Sequence, residues 1–123
     1  METRSKERIK RYLRLNGKYL KEAEDLLAKG DYVQASEKFW GAAAQSVKAV
    51  AAKRGVELIA HRSISEFVSR LNKEHPELKL AEDFHIANNL HTNFYEDWLD
   101  PDMVRIGATR VRAFVEKLMN LTK

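Results

Sequence analysis

Residues Tyr32 to Lys53, which read YVQASEKFWGAAAQSVKAVAAK, decide the fold of this chain. On a helix, apolar side chains cover well over half of its circumference. The remaining polar strip consists of Gln34, Glu37, Lys38, Gln45 and Lys48. A helix this apolar is buried on several sides, so the stretch is predicted to be the central helix. The small residues at 41–44 would let another backbone approach closely, within the chain or at a dimer seam.

Turn signals bound this central helix on both sides. Gly30 is a stop signal and Asp31 an N-cap, which predicts a first helix from about Ser5 to Lys29. Gly55 ends the central helix. Because the link at Gly30 and Asp31 is so short, the first two helices are expected to be antiparallel neighbours.

Three further helices are predicted after Gly55. Ser63 followed by Glu66 has the pattern of a capping box, and Pro76 stops the helix that it starts. Asp100 and Pro101 have the pattern of an N-cap and a first-turn proline. The predicted helices span about Ile64–Glu74, Leu80–Trp98 and Pro101–Leu121. The fold class is therefore all-α, an antiparallel up-and-down bundle of four to five helices forming one domain over residues 1–123.

Composition excludes several classes of site. The chain has 123 residues and no cysteine, which removes disulfides, thiol chemistry and thiolate metal sites. With four histidines and no thiol, neither a metal site nor any other cofactor is predicted. The N-terminal residues are charged and lead into no apolar run, so we expect no signal peptide and no membrane span. A cytoplasmic protein is the expectation.

Residues 84–98, FHIANNLHTNFYEDW, are the densest mixture of polar and aromatic groups. On a helical wheel, His91, Tyr95 and Trp98 share the core-facing arc, Asn88 lies at its border, and Asn93 faces away. His91 is either a core histidine with both ring nitrogens hydrogen-bonded, or it lines a polar pocket with Asn88 and Tyr95. Burying it without partners would cost roughly 1–3 kcal/mol.

A basic stripe marks one side of the first helix. Lys10, Arg11, Arg14 and Lys18 share this side, and they are candidates for binding nucleic acid because such a stripe can follow phosphates. The alternative is an ordinary solvated helix face, since no aromatic residue for base stacking is interleaved there. Both interpretations stay open.

Four segments of the chain resemble the HEPN superfamily (higher eukaryote and prokaryote nucleotide-binding), and within it the archaeal PaREP-type branch. They are LLAKGDYVQA at 26–35, EKFWGAA at 37–43, the 55–61 link and LHTNFYE at 90–96. The last segment, followed by an amphipathic helix, looks like the PaREP signature. The resemblance implies a helical bundle that forms homodimers and binds nucleotides or pairs with a small nucleotidyltransferase.

The resemblance also names candidate residues. His61 and Tyr95 match a histidine and a tyrosine of the binding branch. The ribonuclease branch uses an arginine–histidine motif, but Asn88, Asn89 and His91 stand at the matching region here. The leading hypothesis is thus a non-catalytic, homodimeric module that binds a nucleotide, RNA or a partner protein.

Two alternatives remain. The first is a metal-independent ribonuclease that uses His91 or His75 with an arginine from another helix or subunit. The second is a protein that serves only in oligomerisation, or as an antitoxin-like partner of a nucleotidyltransferase-like protein.

Overall fold

A computed structural model describes residues 2–123, with side chains from Arg4 onward, so Met1 of the predicted domain lies outside the described residues. The chain forms five α-helices, and a 3-10 turn at Pro76–Leu78 separates the third from the fourth. They are α1 (Glu2–Ala28), α2 (Tyr32–Lys53), α3 (His61–Glu74), α4 (Leu80–Glu96) and α5 (Pro101–Leu121). The predicted all-α bundle is confirmed, and no strand occurs among residues 2–123. None of the helices in this range combines the length and the apolar character needed to cross a bilayer.

Two predicted caps are present. The Asp31 carboxylate accepts a hydrogen bond from the Gln34 backbone N–H at 3.2 Å, and Gly30 before it has a φ of +81°. The Asp100 carboxylate likewise accepts from the Met103 N–H at 2.9 Å, with Pro101 in the first turn. These local signals set the starts of α2 and α5 as the sequence predicted.

The predicted capping box before α3 is wrong. The helix begins one turn earlier, at His61, and its N-cap is Ala60 in an extended conformation without a side-chain cap. The Ser63 hydroxyl instead donates to the Ala60 carbonyl at 2.7 Å, and the Glu66 carboxylate accepts from Arg62 at 2.9 Å. With both side chains engaged elsewhere, no reciprocal box forms, and His61 becomes the first residue of the helix.

The end of α4 also differs from its prediction. The helix stops at Glu96, because Asp97 adopts a φ of +48°, so Trp98 lies outside it and is 55% exposed. Tyr95 was placed on the core-facing arc but is 69% exposed, whereas Asn93, placed on the outer face, is fully buried. Asn93 is stable in the core because hydrogen bonds satisfy its amide.

The prediction that α2 is central is confirmed. It contacts α1 along its length and packs on α3, α4 and α5, with Phe39 and Val47 fully buried. The close approach expected at Gly41 is made by α1, since a Cβ there would lie 3.2 Å from a ring atom of Tyr19. Ala42 and Ala43 are likewise fully buried within the chain. Gly41 therefore serves the close packing of α1 on α2, and the alanines are part of the buried core.

Ion pairs connect neighbouring helices. The fully buried Asp83 of α4 pairs with Arg110 of α5 and, at 2.8 Å, with Lys117 of the same helix. At the far ends of α2 and α3, Arg54 donates to Glu74 at 3.0 Å, and this hydrogen bond lowers the pKa of the Glu74 carboxyl. Because Asp83 has both cations beside it, its burial is compensated.

Candidate functional site

Three rings from three helices stack at one place on the bundle. Trp40 of α2 stacks on His61 of α3, with centroids 4.9 Å apart and planes 16° apart, and on His91 of α4, at 4.9 Å and 27°. The two imidazoles are 5.5 Å from each other. That short separation puts both on the same side of the indole, since rings on opposite faces would be nearly twice as far apart. Trp40 is therefore nearly buried, and both imidazoles stack on the same face of its ring.

Hydrogen bonds fix the orientation of both histidines. His91 Nδ1 lies 2.8 Å from Glu37 Oε1, and His61 Nε2 lies 2.9 Å from Asn88 Oδ1. Both partner oxygens are acceptors, so each of these ring nitrogens carries the proton. In the neutral rings this leaves His91 Nε2 and His61 Nδ1 as hydrogen-bond acceptors. In the neutral form of both rings, the hydrogen bonds thus define the tautomers.

A cleft of about 430 Å³ opens beside these rings, between α1, α2 and the start of α3. This volume lies within the range typical of small-molecule sites. Its wall consists of Trp40 and His61 with Tyr19, Glu37, Lys38, Gly41, Ala44, Gln45, Lys48 and Ile64. The cleft therefore combines flat rings with hydrogen-bonding and cationic groups, which suits a planar ligand that carries negative charge.

The two lysines of the cleft differ in their surroundings. Lys38 lies 3.5 Å from a carboxylate oxygen of Glu22 and 5.2 Å from the centre of the Tyr19 ring. No carboxylate of residues 4–123 forms an ion pair with Lys48. One turn before it, Gln45 Oε1 is buried and has no hydrogen-bond partner in that range. Lys48 is therefore the cation that is open to an anionic ligand.

The structure brings together all four residues that the sequence singled out as a ligand site. His91 and His61 stack on Trp40, Asn88 orients His61, and Tyr95 meets His91 edge-on with centroids 5.5 Å apart. His91 is 26% exposed in its side chain, so it is half-buried rather than enclosed in the core. Of the four, His61 lines the cleft, whereas His91, Asn88 and Tyr95 lie next to it and are not part of its wall.

Sequence reasoning missed the contribution of α2. Trp40 was assigned to the apolar arc of the central helix, and Glu37, Gln45 and Lys48 to its polar strip. Glu37, Gly41, Gln45 and Lys48 step by three or four, so they share one side of a helix that is otherwise apolar. A polar strip on a helix buried on its other sides is the signal that would have indicated a cleft.

The candidate nucleic-acid residues lie elsewhere. Lys10, Arg11, Arg14 and Lys18 are exposed on α1, as the wheel predicted, and none of them lines the cleft. Arg11 donates to the Tyr12 hydroxyl at 3.3 Å, while the others make no ion pair within residues 4–123.

His75, the other histidine considered for catalysis, caps the opposite end of α3 from His61, roughly 21 Å away along the helix axis. Its Nδ1 is 3.8 Å from Glu77. In the part of the chain that the structure describes, no group of three or more His, Asp or Glu residues is arranged to hold a metal ion.

Comparison with known proteins places the chain in a family. Its fold is similar to the crystal structure of a protein from Sulfolobus solfataricus, with a TM-score of 0.79, 24% sequence identity, and coverage of 89% of this chain and 97% of that one. None of the curated proteins matches it. The sequence model of the archaeal PaREP1/PaREP8 family matches residues 11–115, which confirms the PaREP-type part of the resemblance. The chain belongs to the archaeal PaREP1/PaREP8 family.

Proposed function

We propose that this protein is a non-catalytic, HEPN-like binding module whose cleft beside Trp40, His61 and His91 binds a nucleotide, either free or as part of an RNA. The observation that carries the proposal is the stack of two imidazoles on Trp40, beside a cleft that Trp40, His61 and the cation of Lys48 line. A base, a sugar and a phosphate need these three kinds of surface: a flat ring, hydrogen-bonding groups and a positive charge.

Each part of the cleft has a task in this proposal. The exposed face of His61 stacks on the base, an interaction worth about 1–3 kcal/mol per base with aromatic side chains. His61 Nδ1 and His91 Nε2 accept hydrogen bonds from amino or imino groups of the base. Lys48 binds the phosphate as a point charge. Glu37 and Asn88 hold the two imidazoles in place, so little orientational freedom is lost on binding.

Binding of fluorescent AMP, ATP and a short single-stranded RNA, measured by anisotropy, tests the proposal. Wild type is expected to bind at least one of the three, and His61→Ala and Lys48→Glu are expected to weaken binding about tenfold or more. Lys73→Glu is the matched charge control, because Lys73 is exposed in the last turn of α3, away from the cleft. If folded wild type binds none of the probes, or if Lys73→Glu weakens binding as much as Lys48→Glu, the proposal is wrong.

A second candidate function, metal-independent ribonuclease, is favoured by the pair of Glu37 and His91. A carboxylate 2.8 Å from Nδ1 orients the imidazole and leaves Nε2 as a general base. In this reaction Nε2 removes the proton of a ribose 2′-hydroxyl, and the 2′-oxygen attacks the adjacent phosphorus. The bond to the 5′-oxygen breaks, this oxygen takes up a proton from water, and a 2′,3′-cyclic phosphate remains; His91 then returns its proton to the solvent.

Incubation of structured RNAs with the protein in EDTA tests this second candidate. Cleavage that ends in cyclic phosphates is expected, lost in His91→Ala and reduced about tenfold or more in Glu37→Gln. His85→Ala serves as the control, because His85 is exposed on α4 and outside the cleft. Intact RNA throughout would rule out this activity, and cleavage that persists in His91→Ala would come from a contaminant.

The HEPN resemblance supports three further parts of the proposal. The module acts as a homodimer in the cytoplasm, and a small nucleotidyltransferase-like protein is its partner. Light scattering of the purified protein tests whether it is a homodimer. Co-purification with a co-expressed nucleotidyltransferase tests whether the two proteins bind each other. If the protein instead serves only in oligomerisation or as an antitoxin-like partner, co-purification is expected without binding of any nucleotide.

A further inference from the structure

An apolar groove lies between α4 and α5, apart from the cleft. It is lined by Ile86, Leu90, Leu99, Met103, Ile106 and Gly107, with Asn89 as the one polar residue. Ile106 is 54% exposed and Met103 47% exposed, although both are large apolar side chains. The depression between them measures about 100 Å³, which suits a single aliphatic side chain.

The end of the groove nearest the α4–α5 loop is acidic. Residues 96–104 contain Glu96, Asp97, Asp100 and Asp102 and no basic residue, whereas the whole chain has a net charge of +4. All four acidic side chains are exposed. Within residues 4–123, Asp102 is the one of the four that forms an ion pair, with Arg105 at 3.0 Å. The segment 96–104 beside the groove thus carries local negative charge on a protein that is positive overall.

We propose that this groove binds an amphipathic, basic helix of a partner protein. The apolar stripe of that helix lies against Met103 and Ile106, and one of its aliphatic side chains fills the depression. Its lysines or arginines lie over Asp97 and Asp102. Binding of a helix in a groove through spaced apolar anchors is a recurrent mode of recognition, and complementary charge fixes its orientation.

The same charge distribution disfavours a second copy of this chain as the occupant. A two-fold dimer through the groove would use the same surface patch on both copies. With the two-fold axis near the α4–α5 loop, the acidic residues of 96–104 in the two copies would approach each other, and like charges across an interface oppose association. A basic helix gains from these residues instead.

A labelled peptide of about 14 residues, roughly 21 Å of helix, tests the proposal. It has leucine at i, i+3, i+4 and i+7 spacing and lysine elsewhere, and a second peptide has glutamate in place of lysine. Wild type is expected to bind the leucine–lysine peptide and not the leucine–glutamate peptide. His91→Ala is expected to bind it like wild type, because His91 does not line the groove.

Ile106→Glu and Ile106→Lys separate the apolar contribution from the charge. Ile106 is exposed, so both variants are expected to fold, which circular dichroism verifies. Both variants are expected to lower the affinity for the leucine–lysine peptide about tenfold or more, because both remove the apolar side chain at position 106. The double variant Asp97→Asn and Asp102→Asn is expected to lower the affinity for this peptide and to make that affinity less dependent on salt concentration.

Three outcomes would overturn the proposal. Tighter binding in Ile106→Glu would show attraction by charge alone, without a groove. Unchanged binding in both Ile106 variants would place the peptide elsewhere. A change from dimer to monomer in Ile106→Glu, seen by light scattering, would identify a second copy as the occupant.

Discussion

At the scale of single residues, Asn93 connects the end of α4 to its neighbours. Its Oδ1 accepts hydrogen bonds from the backbone N–H groups of Trp98 and Leu99 at 2.8 and 2.7 Å. Its Nδ2 donates to the Ser36 hydroxyl at 3.1 Å. One side chain thereby holds the loop after α4 and attaches it to α2.

Asn93→Ala is expected to lower the free energy of unfolding by about 1–3 kcal/mol, because two part-buried backbone N–H groups lose their acceptor and the Ser36 hydroxyl loses the donor to its oxygen. Urea denaturation followed by circular dichroism measures the change. Asn89→Ala, at an exposed position of the same helix, is the control and is expected to stay within about 0.5 kcal/mol of wild type. Equal effects of the two substitutions would contradict the role assigned to Asn93.

The burial of Asn93 could not be predicted from its own helix. A wheel places polar side chains outside because an unpartnered amide in the core is costly. The partner that removes this cost, Ser36, is 57 positions away in the sequence. Tyr95 is exposed in the last turn of α4, since the helix ends one residue later at Glu96.

At the scale of elements, Gly107 sets the distance between α4 and α5. A Cβ at this position would lie 2.8 Å from a methyl carbon of Leu90, which is fully buried and cannot move aside freely. Both residues also line the apolar groove. A larger residue at 107 therefore changes both the packing and the groove.

Gly107→Ala is expected to destabilise the protein by about 1–3 kcal/mol through overpacking. Gly17→Ala is the matched control, because Gly17 lies in the interior of α1 with nothing within 4 Å of the added Cβ. There the same substitution is expected to stabilise by about 0.5–1 kcal/mol through helix propensity. Thermal melts of both variants measure the difference, and a stabilised Gly107→Ala would contradict the close approach.

The helices themselves were predicted well because their signals are local. Gly30, Asp31, Asp100 and Pro101 act on the backbone within one turn, so their effect is visible in the sequence. The start of α3 was missed for the opposite reason. Ala60 is not a residue type that marks an N-cap, and the Ser63 and Glu66 pattern was satisfied by other contacts.

At the scale of the whole molecule, the cleft exists because α2 is surrounded by the other helices. Packing of α1, α3 and α4 around it brings Tyr19, His61 and His91 to one side of Trp40. The sequence and the family resemblance indicated His61, His91, Asn88 and Tyr95. The contribution of Glu37 and Lys48 depends on the way that α2 is oriented in the bundle, which no local pattern specifies.

The fluorescence of Trp40 tests the central claim most directly. The chain has two tryptophans, so Trp98→Phe leaves Trp40 as the only one and removes the exposed ring outside the cleft. Titration of this variant with AMP, ATP and a short RNA is expected to change the Trp40 emission in a saturable way for at least one ligand. Adding Lys48→Glu is expected to raise the ligand concentration at the midpoint of the titration about tenfold or more. A flat titration with all three ligands, in a protein shown to be folded, would contradict nucleotide binding in the cleft.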